Sequence, residues 1–558
     1  MTGTSARLVS VCAGALAVSL GGGMALLACG HSGGAASPGD DAGPGADGSM
    51  SSFDAAVDAT PDASMHPPGD SASDAPAEAV SDAGGNACVP FAMPPTAALF
   101  GSTKRVFAHY FYPFPLSIDD KPAASDYYNL EYLAPDGESD KWLARGGYLR
   151  QRPLPVPVGS AATYAVDNME REVRLAIAGG ITGFTVDILG ANQADAGSQL
   201  QNLLQAAAAV DPRFKIVAML DLSALSEADA GAEATVVESI IASVASSPAS
   251  YTLADGRLVV SSFLAEDQPP SWWTSVFQSL DAKGIHVAFV PCFLNLGANE
   301  AAFSAMSYTY GLSLWGTATP AAAAGMQTLP AAAHATGDIF MMPVLSQQYR
   351  PKDFLYWEAG NSEALRSAWT SAIAGDSDWI QVVTWSDFSE SGEIEPYTDS
   401  TLSNGIGTGY YDLNAYYAAW FLTGQQPTIT NDVLYYFYRR EPTDAAAPAQ
   451  TTPTTEANGD PAENDIELLA FLTAPGTLAI TINGQTVTKD APAGMTSMKT
   501  PLQAGTPQLT LTRSGSPVIA LTGGIASYGP AGMPSGVLDL TYWSGSASKD
   551  GTCGLTLP

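Results

Sequence analysis

From about residue 103 to residue 440 the chain alternates short, almost unbroken apolar runs with longer amphipathic stretches. Eight runs stand out, at 105–110, 183–188, 215–221, 257–263, 286–293, 310–315, 339–345 and 379–385. They are rich in Val, Ile, Phe, Leu and Ala and lack a polar residue at every second position. That is the pattern of parallel strands covered on both faces. Between the runs, Val166, Met169, Val173 and Ile177 share one helical face, ended by Gly179-Gly180. Leu200, Leu203, Leu204 and Ala207 make a second stripe, and Trp273, Val276, Phe277 and Leu280 a third, ended by Gly284. Spacings of three and four with glycine stops predict amphipathic helices. Eight such units over about 340 residues predict an α/β fold, a (β/α)8 TIM barrel. An open doubly wound sheet is the competing architecture, but it would more often carry fewer strands and a Gly-rich first turn, which is missing.

The period then changes. Leu478-Ala479-Ile480-Thr481-Ile482, Asn483-Gly484 and Gln485-Thr486-Val487 read as a hairpin with a type I′ turn. Leu509-Thr510-Leu511-Thr512 and Val518-Ile519-Ala520-Leu521 flank Ser514-Gly515. Short alternating strands with turn signals predict a C-terminal β-sandwich over 464–558. An Ala-, Thr- and Pro-rich spacer, 445–463, separates it from a barrel domain of 93–444.

The N-terminus carries a different pattern. Arg7, an apolar run over 8–20 and Leu26-Leu27-Ala28-Cys29 predict a secretory signal at 1–28. A cysteine directly after Leu-Leu-Ala resembles the bacterial lipobox, so Cys29 is the expected lipidation site. A plain signal peptide or a short membrane anchor are the alternatives. Residues 29–92 form an expected disordered tether: positions 30–86 hold ten acidic residues and no Lys or Arg. Such a stretch buries too little apolar surface to offset its ordering entropy. The expectation is an exported monomer, held by lipid at the cell envelope, at the outer membrane or cell surface. The net charge of −33 excludes nucleic acid as a partner, because phosphates repel an acidic surface. Of the remaining cysteines, Cys88 and Cys553 bracket the folded part and are disulfide candidates. Cys292 reads as a buried free thiol. With no Cys-x-x-Cys, no His-Glu-x-x-His and five His in all, neither a bound metal nor a cofactor is expected.

A TIM barrel places its active site at the C-terminal strand ends. Those ends carry His109 and Tyr110, Asp187, Asp221, Trp315, Tyr349, and then Trp385-Ser386-Asp387-Phe388-Ser389-Glu390. Glycosidic bonds are cut by paired carboxyl groups. Asp387 and Glu390 are therefore the candidate catalytic pair, and Asp187 is a further carboxylate at a strand end. His109, Tyr110, Asp221, Trp315, Tyr349 and Trp385 are candidates for holding sugar. The aromatic-rich insertion 111–163 is expected to wall the cleft.

Several ordered motifs carry a family resemblance. They are Val106-Phe107-Ala108-His109-Tyr110, Gly180-Ile181-Thr182-Gly183-Phe184, Asp255-Gly256-Arg257 with Ser262-Phe263, and Val290-Pro291. The strongest are Val383-Thr384-Trp385-Ser386-Asp387-Phe388-Ser389-Glu390-Ser391 and Val433-Leu434-Tyr435-Tyr436-Phe437-Tyr438-Arg439, and Ala491-Pro492-Ala493-Gly494 adds one in the sandwich. Together they resemble glycoside hydrolase family 71, the α-1,3-glucanases called mutanases. The resemblance implies endo-hydrolysis of an α-1,3-glucan polysaccharide with inversion, and catalysis by Asp387 and Glu390. Ser386, Phe388 and Ser389 stand where the family has Asn, Tyr and Gly, and Asp187 where it has Asn. For the further aspartate that the family places after strand two, Asp187 is the candidate catalytic residue by its position at the strand end, and Asp195 is the second choice. Inversion requires an acid and a base about 6.5–9.5 Å apart. The expectation is Glu390 as acid and Asp387 as base. A non-catalytic glycan-binding lipoprotein and a hydrolase of another α-glycan are the competing readings.

Overall fold

The computed structural model describes residues 89–555 and 557, apart from 195–196, 226–228 and 400–405. The expected signal peptide, Cys29, most of the tether, Cys88 and Asp195 lie outside the described residues. Cys553 is disulfide-bonded and Cys292 is a free, buried thiol.

Eight parallel strands close into a barrel: β1 Arg105–Tyr110, β2 Gly183–Ile188, β3 Lys215–Asp221, β4 Leu258–Phe263, β5 Val287–Phe293, β6 Gly311–Leu314, β7 Ile339–Leu345 and β8 Trp379–Val383. Closure is made by β1, which pairs with β8 (Val106 opposite Ile380) and with β2 (Phe107 opposite Gly183). Each strand matches one apolar run of the sequence, with ends differing by two residues at most. Side chains alternate between two buried faces. Phe107, Val217, Val259, Met341 and Trp379 fill the lower interior; Met219, Cys292, Trp315, Leu345 and Val383 form the layer above them. The other face packs on helices Tyr164–Ala178, Gln199–Val210, Ala230–Val244, Pro270–Asp281 and Glu363–Ala374. Helix starts are fixed locally. Ser198 accepts from the Gln201 amide, and Asp229 from Gly231 and Ala232. Gly180, at φ +79°, makes the expected stop, and a Cβ there would lie 2.8 Å from Ala418.

The sandwich has a five-stranded and a four-stranded sheet. Its strands are β9 Val433–Tyr438, β10 Asp465–Leu472, β11 Gly476–Ile482, β12 Gln485–Ala491, β13 Gly494–Pro501, β14 Gln508–Arg513, β15 Ser516–Thr522, β16 Trp543–Ser548 and β17 Gly551–Thr552. The sheet orders are β13-β10-β9-β16-β17 and β12-β11-β14-β15. Three boundaries differ from the sequence reading. First, β9 falls inside the 93–444 range expected for the barrel domain, yet it pairs with β10 and β16 at the centre of the larger sheet. Its apolar run hides two faces. Leu434, Tyr436 and Tyr438 enter the sandwich core, while Val433, Tyr435 and Phe437 face the barrel's helical layer, with Phe437 5.0 Å from Tyr410. Second, the 445–463 spacer is not free of structure: Thr455–Glu456 pairs with Leu355–Trp357, which pairs with Gln348–Arg350. Third, ordered chain begins before residue 93, since Phe91 is buried edge-on against Tyr416 (5.5 Å).

Candidate active site

Strand alternation decides which residues reach the barrel mouth. On β1, Phe107 and His109 point inward, whereas Ala108 and Tyr110 join the barrel–helix layer. His109 Nε2 lies 3.9 Å from Asp187 Oδ2, and the imidazole meets Trp315 edge-on at 4.8 Å. Burial pushes His109 down to about 3, so it is neutral at physiological pH. Asp187 is 3 % exposed and its Oδ1 has no hydrogen-bond partner. Burial first, then the charges of Asp221, Asp387 and Glu390, raise its pKa well above the carboxylate range. A neutral imidazole beside a protonated acid is not an ion pair, and 3.9 Å exceeds a hydrogen bond.

Beyond β8 the chain turns back on itself. The Trp385 amide donates to His109 O (2.7 Å), the Thr384 amide to Gly392 O (2.9 Å) and the Ile394 amide to Thr384 O (3.0 Å). This short return presents Asp387 and Glu390. The Asp387 amide donates to Thr384 Oγ1 (2.8 Å), and Asp387 Oδ1 accepts from the Ser389 amide (3.0 Å) and hydroxyl (2.7 Å). Burial and the neighbouring Glu390 push Asp387 up to about 7, against Ser389, Lys352 and Arg350. The residues that depart from the family pattern have defined contacts. The Ser386 hydroxyl engages both main-chain groups of Phe111 at 3.1 Å, Phe388 packs edge-on against Phe114, and Ser389 caps Asp387.

Glu390 is held differently. Arg350 Nη2 lies 2.8 Å from Oε1 and 2.9 Å from Oε2, Gln348 Nε2 donates to Oε2 (2.8 Å), and the Tyr349 amide donates to Glu390 O (2.7 Å). The guanidinium also sits over the Trp357 ring at 5.1 Å. A cation held against both oxygens is the partner of a carboxylate and not of a proton donor. This arrangement opposes the expected role of Glu390 as the acid.

The remaining candidates divide. Trp315 packs between His109 and Phe263 at the mouth, 8 % exposed. Asp221 caps its own turn through the Ser223 amide and hydroxyl (2.8 and 2.6 Å), and its charge acts on Asp187. Tyr110, Trp385 and Tyr349 do not line the cleft. Tyr110 and Trp385 are fully buried on the outer face of the barrel, near Glu172; Tyr110 is there because it sits on the opposite side of β1 from His109. Tyr349 turns away to donate to Leu538 O (2.7 Å). The sequence reading missed Arg350, Gln348, Tyr112 and Tyr148. Tyr148 lies beside Ser389 and Asp387, and Tyr112 beside Asp187, so the 111–163 insertion does face the carboxylates. The available signal was Gln347-Gln348-Tyr349-Arg350 at the end of strand seven, a polar run in a place where a barrel keeps functional groups.

Carboxyl groups gathered at the C-terminal mouth of an eight-stranded parallel barrel are an arrangement that glycoside hydrolysis can use. The family model for glycosyl hydrolase family 71 matches residues 156–554, and the chain belongs to that family. It is 26 % identical over 387 residues to a Schizosaccharomyces pombe protein named glucan endo-1,3-alpha-glucosidase agn1, covering 66 % of this chain and 88 % of that one. It is 22 % identical over 372 residues to the ascus wall endo-1,3-alpha-glucanase of the same organism, covering 61 % and 83 %. Among solved structures, a GH99 endo-alpha-mannosidase from Bacteroides thetaiotaomicron is similar at 15 % identity and a TM-score of 0.43, covering 57 % of this chain and 97 % of that one.

Proposed function

We propose that the protein hydrolyses α-1,3-glucan, acting within the chain and with inversion, and that Asp387 is the proton donor and Glu390 the base. The observation that carries this reading is the contrast between the two groups. Asp387 is buried and pushed up to about 7, so near neutral pH it can both hold and release a proton. Glu390 is clasped by Arg350 and Gln348. In the reaction the anomeric C–O bond breaks as Asp387 gives its proton to the leaving oxygen. Water adds to the anomeric carbon from the other side and passes a proton to Glu390. Asp187, protonated and partly unpartnered, donates a hydrogen bond to the bound sugar, with neutral His109 and Trp315 forming the floor. The named relatives support the glucan linkage, and the Cys29 motif supports a lipid anchor at the cell envelope.

The test uses an α-1,3-glucan oligosaccharide with a good aryl leaving group. Asp387→Asn should keep substantial activity on it while losing activity on the natural polymer, because a good leaving group needs no proton. Glu390→Gln should be inactive on both. The opposite pattern would return the acid role to Glu390. The Arg350–Glu390 pair would also suit glycan capture without cleavage. Sugar release from insoluble α-1,3-glucan by the fragment starting at residue 88 separates capture from hydrolysis. Loss of radiolabelled lipid from a Cys29→Ser variant checks the anchor.

A further inference from the structure

The grip on Glu390 does not come from the barrel alone. Arg350, Gln348 and the Tyr349 amide, which hold Glu390, belong to one three-residue strand, Gln348–Arg350, on the loop after β7. That strand is fastened to residues 538–542, which lie between the last strands of the sandwich and are 5 % exposed or less. Tyr349 Oη donates to Leu538 O (2.7 Å). The Gln347 side chain accepts from the Tyr542 amide (2.7 Å) and donates to Tyr542 O (3.1 Å), engaging both main-chain groups as a neighbouring strand would. On the other side of Glu390, Ser391 Oγ meets Thr541 Oγ1 at 3.3 Å.

The same segment is fixed to the sandwich side. Arg439, directly after β9, donates from Nε to Leu540 O (2.9 Å) and pairs through Nη1 with Glu358 (2.9 Å), whose other oxygen accepts from Tyr542 Oη (2.6 Å). The Asp539 amide donates to Glu441 Oε1 (2.7 Å), and its carboxylate accepts from Trp543 Nε1 (3.2 Å). These groups are buried, so their geometry is set by one another and not by water.

We propose that residues 538–542 are a positioning element for hydrolysis: through Gln347, Tyr349 and Ser391 they set where Gln348 and Arg350 hold the Glu390 carboxylate. The sandwich is then part of the catalytic apparatus and not an accessory. This rests on Glu390 acting in hydrolysis as proposed above. A displacement of about 1 Å in a reacting group can cost about 10²-fold in rate.

The experiment measures kcat and KM of the full chain on a soluble α-1,3-glucan oligosaccharide for Tyr349→Phe and Gln347→Ala, with Tm as a folding check. Tyr349→Phe keeps the ring and loses one oxygen, so it stays informative where Gln347→Ala fails to fold. The expected result is a kcat lowered about 10- to 100-fold, KM within about twofold and Tm within a few degrees. An unchanged kcat overturns the proposal. So does a kcat loss that tracks a falling Tm, which a purely structural role would give. Glu390→Gln is measured alongside. Full activity in that variant would sink the reading of Glu390 itself, whereas an inactive Glu390→Gln with unaffected Tyr349→Phe sinks only the positioning role.

Discussion

Two sets of carboxyl groups lie on either side of the return that follows β8, and they differ in burial and in partners. On the mouth side, Asp387 is capped by Ser389 and Glu390 is paired with Arg350. On the far side, Glu393 and Glu395 are fully buried and none of their four oxygens has a hydrogen-bond partner. Burial raises both well above the carboxylate range, Asp387 adding to the effect on Glu393, and Glu172 and then Glu393 to that on Glu395. Glu172, on helix Tyr164–Ala178, is pushed up to about 7 by burial. The comparison teaches that a carboxylate's chemistry here is set by which partners reach it. Asp387 is tuned for proton exchange near neutrality, Glu390 is held by a cation, and the far groups are stored neutral.

The strongest way to break this contrast is to exchange the outcomes of substitution. Asp387→Asn and Glu390→Gln should each lower sugar release from α-1,3-glucan by about 10²–10⁴-fold. Glu393→Gln and Glu395→Gln, which mimic the stored neutral form, should leave it within about threefold. A reversal would move the reacting pair to the far side. Next in size, Arg350→Ala should cost about 10²-fold in kcat, since it frees the Glu390 carboxylate to turn. Arg350→Lys should recover only part of that, because an ammonium lacks the planar guanidinium geometry.

The pH dependence sharpens the contrast further. A proton donor with a pKa of about 7 is lost as pH rises, so kcat/KM should fall roughly tenfold per unit above about pH 7. Ser389 holds that pKa down, so Ser389→Ala should move the falling limb to higher pH. A limb that moves lower would remove Ser389 from this role. The smallest effect concerns stability. The folded-state pKa values of Glu393 and Glu395 lie above the unfolded values, so the native state binds more protons than the unfolded chain. Their contribution is complete below about pH 4.3 and is lost as pH rises toward the raised values. Glu393→Gln should therefore show a smaller fall in Tm between pH 5 and pH 8 than the parent protein. An equal fall would mean that folding does not raise the pKa of Glu393 above its unfolded value.

Much of this was legible in the chain. The eight barrel strands follow from apolar runs long enough to span a strand and covered on both sides. The hairpin at Asn483-Gly484 follows from turn chemistry, β11 pairing with β12 as expected. The same double burial concealed other things. In β1, inward His109 and outward Tyr110 are adjacent, and nothing in a uniformly apolar strand marks which faces the mouth. In β9, an aromatic run buried between two layers looks like one more barrel strand. Arg350 was invisible as a partner of Glu390 because 40 residues separate them, and only closure of β7 beside β8 brings them together.

Local sequence thus determined the strands, the turns and the position of Asp387 and Glu390 after β8, since periodicity, capping and turn preferences act over a few residues. Only tertiary structure decided which carboxyl group is pushed up by burial and which is clasped by a cation. Desolvation and charge pairing depend on what long-range packing brings within a few ångströms, and in this protein that packing extends from the barrel mouth to the last strands of the sandwich.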